Sequence, residues 1–591
     1  MIVGPSRPTI DVCVPLITHS VLEPCVVVKH EINRGWRTVD TVEFPRAEPP
    51  RETSVLVVGA GPSGLASALE LSRNRVEVAV VDAATSASLV RAGAMSHTAR
   101  VVELFRRWGV LDAIREGWTF PPEWNTGNRL RTSLVGHDLG PGPSRSFGKR
   151  HGSEYSFEDP IRRPQTVLQQ AFLRKLAADG VPVAGGWRVV ELHDNGTGIT
   201  TVVEHVGSGE RREVRARYVI GADGGRSDVR RLSGIERDGE RAAERHFRFI
   251  VRVREYPADI GLTLSGTNVV VNERFDGFLA AISDHEWRLY AGPYPLGAEP
   301  AEAELLELAN AAFGTRVDAE IVSLTPFYKS TRIARTFRKG RVLLVGDAAH
   351  VRAPGGNLGE GFGDVANVGW KVAAVLRGDA GEVLLDSYDE ERRTHNHRVA
   401  SVAQERAVAN ERAIAQARAL GFPSDDDLSD GAHARRAQIG AVLRGEAGPQ
   451  DGVIFDERYD TSPVIWHEPA GPGDVPAWDP RRYTPTARPG HRAPNGNIDP
   501  FGGTVYDRLG SHLALLVLSD EHDTVEAFQK AAAERSIEID VIQLDDADAR
   551  AVYGARYALL RPDHHVAWRG NGTDVDPGTI LDHVLGVAKP S

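Results

Sequence analysis

The chain has 591 residues and a mass of 64.2 kDa, which is long enough for several domains with large cores. With 41% hydrophobic and 26% charged residues, it has the composition of a globular protein, and a mainly disordered chain is excluded. A formal net charge of -11 gives no general electrostatic reason to bind nucleic acid, and apolar runs such as residues 513–518 are too short to cross a bilayer. We therefore predict neither nucleic acid nor a membrane as a partner.

The first 50 residues differ in composition from the rest of the chain. Both cysteines, Cys13 and Cys25, lie there, and a proline-rich stretch follows at 43–54. Disulfides therefore cannot hold the body of the protein together. We interpret residues 1–50 as an N-terminal extension, an appendage rather than part of the core. The segment has no basic region followed by a sustained apolar run, so we expect a cytoplasmic location.

A βαβ pattern occupies residues 54–85, SVLVVGAGPSGLASALELSRNRVEVAVVDAAT. Gly59, Gly61 and Gly64 have the spacing in which the first glycine permits a tight turn, the second lets a diphosphate approach, and the third packs helix on strand. Asp82 ends the second predicted strand, where a carboxylate can accept hydrogen bonds from ribose hydroxyls. The strand, helix, second strand and terminal acid together predict a dinucleotide site.

Two later stretches also place a carboxylate at the end of a predicted strand. Residues 218–231, YVIGADGGRSDVRR, carry Asp223, and residues 341–350, RVLLVGDAAH, carry Asp347. No cluster of His and Cys has metal-ligand spacing, so we predict no metal site.

A glycine-rich stretch follows Asp347, with five glycines among the nine residues from Gly355 to Gly363. A phosphate-binding loop would end in Gly-Lys-Ser/Thr, but the first lysine after this stretch is Lys371. We expect a bare loop there, with a helix from about Asp364 to Arg377 whose N-terminal amides favour negative charge on a ligand.

These stretches together resemble the single-component FAD-dependent aromatic hydroxylases, the p-hydroxybenzoate hydroxylase-like class A flavoprotein monooxygenases. The resemblance runs from about residue 53 to the end of the chain. It implies an α/β fold, with a Rossmann-type FAD-binding domain, a β-sheet substrate-domain insert and a C-terminal thioredoxin-like domain. That last domain has no cysteine, so packing or self-association as a homodimer is its expected role.

The resemblance also implies a set of cofactor-binding residues. The three glycines bind the FAD diphosphate, Asp82 the adenosine ribose and Asp347 the ribityl chain, while Asp223 is associated with both FAD and the nicotinamide cofactor. The remaining residues are assigned to the FAD region or to the neighbourhood of its ring: Arg91, Gln165, Pro354, Gly355, Gly356 and Gly359. The glycine stretch is about two residues shorter than the pattern that is usual in this family.

The domain division that follows is expected from these patterns. It runs 1–50 N-terminal extension, 51–244 first part of the FAD-binding domain, 245–338 β-rich substrate domain, 339–400 second part of the FAD-binding domain, 401–487 helical scaffold and linker, and 488–591 thioredoxin-like domain.

The function implied by the resemblance is an NAD(P)H-consuming monooxygenase that hydroxylates a phenolic or polyketide aromatic through a flavin C4a-hydroperoxide. The co-substrates would be O2 and either NADPH or NADH. No catalytic side chain is assigned, because phenolates activate themselves and the oxygen chemistry belongs to the cofactor. Two alternatives stay open: a Baeyer-Villiger-type oxygenation on the same scaffold, and a flavin-binding protein without turnover.

Overall fold

A computed structural model describes residues 27–29, 39–88, 96–117, 128–141, 155–254, 267–282, 285–352, 357–445, 450–469, 475–498, 503–520, 523–544 and 546–587. Among these residues, none of the helices combines the length and the apolar character that crossing a membrane requires.

The strands follow in chain order: β1 (Val27–Lys29), β2 (Val39–Glu43), β3 (Glu52–Val58), β4 (Val78–Asp82), β5 (Ser86–Ser88), β6 (Ser96–His97), β7 (Asn128–Arg131), β8 (Asp138–Pro141), β9 (Ile161–Arg162), β10 (Val183–Gly185), β11 (Trp187–Asp194), β12 (Ile199–His205), β13 (Arg211–Gly221), β14 (Arg237–Asp238), β15 (Glu244–Val253), β16 (Thr267–Val271), β17 (Asp276–Ala281), β18 (Glu286–Pro295), β19 (Ala319–Phe327), β20 (Arg332–Ala334), β21 (Arg338–Lys339), β22 (Val342–Leu344), β23 (His350–Val351), β24 (Leu513–Val517), β25 (Ile539–Gln543), β26 (Tyr557–Leu560) and β27 (Val566–Gly570).

The helices are α1 (Pro62–Arg73), α2 (Ala99–Arg107), α3 (Leu111–Gly117), α4 (Gln165–Ala178), α5 (Asp228–Leu232), α6 (Glu302–Phe313), α7 (Asn357–Arg377), α8 (Glu382–Ala419), α9 (Asp430–Arg444), α10 (Asp451–Phe455), α11 (Val505–Arg508), α12 (Asp523–Glu534), α13 (Ala547–Tyr553) and α14 (Pro577–Val584). A short 3-10 turn spans Gly346–Ala348.

The main sheet has eight strands, and its centre is parallel in the order β10, β4, β3, β13, β22. The apolar run of β3 is buried, which is typical of a parallel strand covered on both faces. Helix α1 packs against this sheet, α4 packs against α1 and β2, and β12 and β11 extend the sheet in antiparallel fashion. The structure confirms the predicted α/β fold with a Rossmann-type domain.

A second sheet contains seven strands in the order β19, β15, β18, β17, β16, β7, β8. Helix α6 covers one of its faces, where Trp287 of β18 meets Phe313 at 5.6 Å between ring centroids. Strands β7 and β8 come from residues 128–141, well before the segment 245–338 in which the sequence pattern predicts a β-rich insert. Each of these two strands has only four residues, which is too few for an alternation of apolar and polar residues to be recognised from the sequence.

The last part of the chain forms a four-stranded sheet in the order β25, β24, β26, β27. Strands β24 and β25 are parallel and joined through α12, whereas β26 and β27 form an antiparallel hairpin. This order of strand, helix, strand and hairpin confirms the elements predicted for a thioredoxin-like domain. Helix α8 is 38 residues long, and its last part lies in the segment 401–487 that is predicted as helical scaffold and linker.

Residues 39–50 belong to the core, so the appendage interpretation is wrong for this part of residues 1–50. Strand β2 pairs with both β1 and β5, and the side chains of Val42 and Phe44 are 0% and 5% exposed within the main hydrophobic core. The backbone also continues onto the edge of the main sheet, where Gly185 donates a hydrogen bond to the carbonyl of Pro45 at 2.9 Å. The proline and charged residues of this stretch suggest an exposed segment, although Val42 and Phe44 are buried in the core.

We predict that Phe44→Ala destabilises the protein by about 3 kcal/mol or more, because truncation of a buried phenylalanine leaves a cavity. For a chain of this length, the melting temperature should fall by about 2–3 °C. The matched control is Phe157→Ala, whose side chain is 44% exposed and whose removal should change Tm by about 1 °C or less. Equal melting temperatures for wild type and Phe44→Ala would show that β2 does not anchor residues 39–50.

Candidate functional site

The carboxyl ends of four neighbouring parallel strands, β4, β3, β13 and β22, meet at one edge of the main sheet. Asp82 ends β4, the first glycine turn follows β3, Asp223 follows β13, and Asp347 follows β22. Ligands of open α/β sheets bind at this edge. The structure therefore brings together three carboxylates that are far apart in the sequence.

The first glycine turn is shaped by contacts that leave no room for side chains. Gly59 has a φ of +112°, and a Cβ on it would lie 2.4 Å from the carbonyl oxygen of Ala222. A Cβ on Gly64 would lie 1.8 Å from the carbonyl oxygen of Gly59, so helix α1 packs directly on the turn. Gly61 differs, because a Cβ there would meet nothing within 4 Å. The space beside Gly61 is open to a ligand, which fits the role predicted for the second glycine.

Asp82 is held against the same turn. Its carboxylate accepts hydrogen bonds from the backbone N–H groups of Ala60 and Ala84, both at 2.6 Å. Burial raises the pKa of Asp82, and these two backbone bonds partly oppose that rise.

The two carboxylate oxygens of Asp223 differ in their hydrogen bonding within the described residues. Its Oδ2 accepts from the backbone N–H groups of Asp228 at 2.6 Å and Val229 at 3.0 Å, which fixes the start of α5. Its Oδ1 is buried and has no hydrogen-bond partner among the described residues. Burial raises the pKa of Asp223, and hydrogen bonds from Ser227 and from the backbone lower it in part. A buried acceptor without a partner is costly, so a ligand hydroxyl at this position would stabilise it.

Asp347 follows β22, and its side chain is exposed to solvent. The surrounding protein nevertheless desolvates its carboxyl enough to raise the pKa, against the opposing charges of His350 and Arg237. The residues present therefore fit a dinucleotide whose ribityl or ribose hydroxyls reach these carboxylates.

One arginine that the sequence analysis missed ties the second and third motifs together. The guanidinium of Arg237 donates to the carbonyl oxygens of Gly225 and Ala348, both at 2.9 Å, and to that of Asp347. Burial, followed by the charges of Arg230 and Arg332, lowers its pKa to about 10. Nothing in the sequence distinguishes Arg237 from the chain's many other arginines.

Gln165 and its neighbour one helical turn later have different environments. Gln165 begins α4 and is half-buried, whereas Gln169 is 4% exposed and donates to the carbonyl of Ala60 at 3.0 Å. Gln169 thus contacts the glycine turn directly, and the sequence analysis missed it. The signal available in the sequence was a glutamine, Gln169, among the apolar residues of a helical pattern.

The glycine-rich stretch is helical from Asn357 onward, so the expected loop is wrong for residues 357–363. Glycines inside the helix cost about 1 kcal/mol each relative to alanine, but here close packing requires them. A Cβ on Gly361 would lie 2.6 Å from Ser63 Oγ, and one on Gly363 would lie 2.6 Å from a guanidinium nitrogen of Arg392. Helix α7 therefore begins seven residues before the predicted Asp364 and packs closely on α1.

The other predicted residues have varied outcomes. Gly359 lies in the first turn of α7, where a Cβ would make an ordinary contact, at 3.4 Å, with Val101. Arg91, Pro354, Gly355 and Gly356 lie outside the described residues.

Comparisons with known proteins agree with this geometry. Residues 52–403 match the family described as FAD binding domain, and residues 486–588 match the family described as aromatic-ring hydroxylase, C-terminal. A 4-methyl-5-nitrocatechol 5-monooxygenase from Burkholderia sp is 30% identical over 584 residues, which cover 92% of this chain and 98% of that protein. An aklavinone 12-hydroxylase from Streptomyces purpurascens is 29% identical, with 90% of this chain and 98% of that protein covered.

Solved structures show the same likeness over nearly the whole chain. The rebeccamycin biosynthetic enzyme RebC with reduced flavin aligns with a TM-score of 0.78 and 28% identity, covering 92% of this chain and 100% of that one. Aklavinone-11 hydroxylase in complex with FAD and aklavinone aligns with a TM-score of 0.74 and 27% identity, covering 91% and 100%. The chain belongs to the FAD-dependent aromatic-ring hydroxylases and is a flavoprotein monooxygenase.

Proposed function

We propose that this monooxygenase hydroxylates a phenolic or polyketide-type aromatic compound and consumes O2 and NADPH or NADH. One oxygen atom enters the aromatic ring and the other leaves as water, with NAD(P)H supplying the two electrons and a proton from solvent completing the balance. The observation that carries the proposal is the convergence of Asp82, Asp223 and Asp347 with the first glycine turn at one sheet edge. The names of the relatives support an aromatic substrate.

In this proposal the glycine turn at Gly59, Gly61 and Gly64 holds the FAD diphosphate. Asp82 binds the adenosine ribose and Asp347 the ribityl chain, while the free oxygen of Asp223 accepts from a cofactor hydroxyl. The assignments of Arg91, Gln165, Pro354, Gly355, Gly356 and Gly359 stay predictions. Bound FAD supplies hydride acceptance and oxygen activation, for which we propose the family's C4a-hydroperoxide route.

The N-terminus of α7 can stabilise negative charge on a ring placed against it, by about 0.3–2 kcal/mol. Glu360 in the first turn of α7 would oppose this effect if its charge were uncompensated. Its carboxylate is instead paired with His395 at 2.8 Å and with Arg352 and Arg392 at 3.3 Å. Burial would raise the pKa of Glu360, but these three groups lower it well below its usual range. The acid therefore stays ionised and locally neutralised.

The seven-stranded sheet has one face available for the aromatic substrate. Phe249 and Trp287 are buried with the core residues on the α6 side. The opposite face carries the ring of Phe327, which stacks on His246 at 5.5 Å and meets Tyr290 edge-on at 5.8 Å. We place the substrate against this second face, because aromatic pairs of this kind offer a flat ring additional edge or face contacts.

The reaction itself is tested by incubating purified, FAD-loaded protein with NADPH or NADH and a panel of phenols and polycyclic aromatic compounds. We expect one substrate class to accelerate NAD(P)H oxidation and to yield a product heavier by one oxygen atom that derives from isotopically labelled O2. A product whose new oxygen lies in a ring-expanded ester would identify a Baeyer-Villiger oxygenase. Flavin that stays oxidised with both nicotinamides would identify a binding protein without turnover.

We expect Asp347→Ala to raise the FAD dissociation constant about 10- to 100-fold, because a hydrogen bond to a charged group contributes about 1.5–3 kcal/mol. Titration of apoprotein with FAD, followed by flavin fluorescence, measures this change. Asp112→Ala is the control, since that aspartate lies on α3 with a side chain that is 92% exposed. Wild-type affinity in Asp347→Ala would contradict the ribityl assignment.

Tyr290→Ala should raise KM for the aromatic substrate about 3- to 10-fold and leave FAD occupancy unchanged, as expected for the loss of one aromatic contact. Tyr294→Ala provides the comparison, because Tyr294 lies on the same strand but donates to Glu304 of α6 at 2.7 Å. Steady-state kinetics should separate the two variants. A larger KM effect from Tyr294→Ala would indicate that the substrate binds the α6 face of the sheet, which would contradict the proposed position.

A further inference from the structure

The turn that carries Asp347 is held at both ends by a single carboxylate. Asp364 of α7 is fully buried, and its Oδ2 accepts from the backbone N–H of Gly346 at 3.0 Å and from His350 Nε2 at 2.7 Å. Gly346 and His350 flank Asp347 in the sequence, and Gly346 has a left-handed φ of +57°. The position of the Asp347 carboxylate therefore depends on the position of Asp364.

The other oxygen of Asp364 is held by α8. Arg392 is fully buried and donates from Nε to Asp364 Oδ1 at 2.9 Å, while its Nη2 donates to the backbone carbonyl of Glu360 at 3.1 Å. Burial alone would raise the pKa of Asp364, but the charges of His350 and Arg392 lower it overall. The carboxylate is therefore kept ionised as a firm acceptor for the turn.

Arg392 also reaches a part of the chain outside the matched FAD-binding segment. Its Nη1 forms an ion pair with the carboxylate of Glu457 and donates to the hydroxyl of Tyr459 at 3.4 Å. The ring of Tyr459 stacks on His565 of the C-terminal domain, with centroids 4.2 Å apart. The Arg392 guanidinium thus connects Asp364, which holds the Asp347 turn, to Glu457 and Tyr459, and Tyr459 contacts the C-terminal domain.

We propose that Arg392 is a positioning residue for the cofactor, which couples the packing of residues 457–459 to the turn that carries Asp347. The inference rests on the proposed role of Asp347 in binding FAD. Lysine cannot replace Arg392, because an ammonium cannot bridge Asp364, the Glu360 carbonyl and Glu457 as a planar guanidinium does.

The chain provides a matched control in Arg561 of the C-terminal domain. Arg561 is equally buried and donates to both carboxylate oxygens of Glu391, the neighbour of Arg392 on α8, at 2.7 and 2.8 Å. It fastens the same domain to the same helix, but none of its hydrogen bonds within the described residues goes to Asp364 or Glu360. Arg561→Lys should therefore reproduce the general loss of stability without the specific effect on the turn.

The test compares Arg392→Lys, Arg561→Lys and wild type by FAD titration of the apoproteins, by Tm, and by hydrogen exchange of residues 345–351 without FAD. We expect Arg392→Lys to raise the FAD dissociation constant at least tenfold and to accelerate exchange in the turn. Arg561→Lys should lower Tm comparably while FAD affinity stays within threefold of wild type. Equal effects of the two variants on FAD affinity would overturn the proposal.

Glu457→Gln keeps the side-chain shape and tests the coupling even if Arg392→Lys does not fold. We expect it to raise the FAD dissociation constant at least threefold, because the ion pair between Arg392 and residue 457 is lost. A folded Glu457→Gln protein with wild-type affinity would overturn the proposal. If Asp347→Ala weakens FAD binding while Arg392→Lys does not, this inference fails and the proposed function stands, whereas wild-type affinity in Asp347→Ala counts against the site assignment itself.

Discussion

The backbone contact between the first glycine turn and the end of β13 is the constraint on which the site depends. Gly59 and Gly64 allow β3, α1 and the carbonyl of Ala222 to approach more closely than any side chain would permit. That approach places β13 directly beside β3, and β22 then pairs with β13. Three carboxylates reach one edge of the sheet because these strands are parallel neighbours.

Hydrogen bonds and ion pairs of charged side chains hold the loops at that edge of the sheet. Arg237 joins the Asp223 and Asp347 motifs from the solvent side, while Asp364 and Arg392 hold the Asp347 turn from the interior. Behind them, Glu391 binds Lys371 at 2.7 Å and Arg561 at 2.7 Å, and all three side chains are fully buried. Buried ion pairs contribute little net stability, but breaking one costs about 3–5 kcal/mol, so they enforce one arrangement of the helices and the C-terminal domain.

The sequence was sufficient to predict the parts of the fold whose signals are local. The glycine turn and Asp82 follow from a βαβ pattern, and the C-terminal thioredoxin-like domain follows from the family resemblance. The start of α7 could not be predicted, because glycines favour loops unless tertiary packing requires them. In α7, Ser63 and Arg392 occupy the space that side chains at Gly361 and Gly363 would need. Arg237 and Gln169 were missed for a related reason, since their roles depend on contacts between segments distant in sequence.

The central claim is that a single FAD binds at the edge formed by β4, β3, β13 and β22, and a crystal structure of the FAD complex tests it most directly. We expect the diphosphate beside Gly61, ribityl hydroxyls within hydrogen-bond distance of Asp347, and the flavin ring against the N-terminus of α7. A flavin bound elsewhere, with Asp82 and Asp347 free of contact to it, would contradict the account.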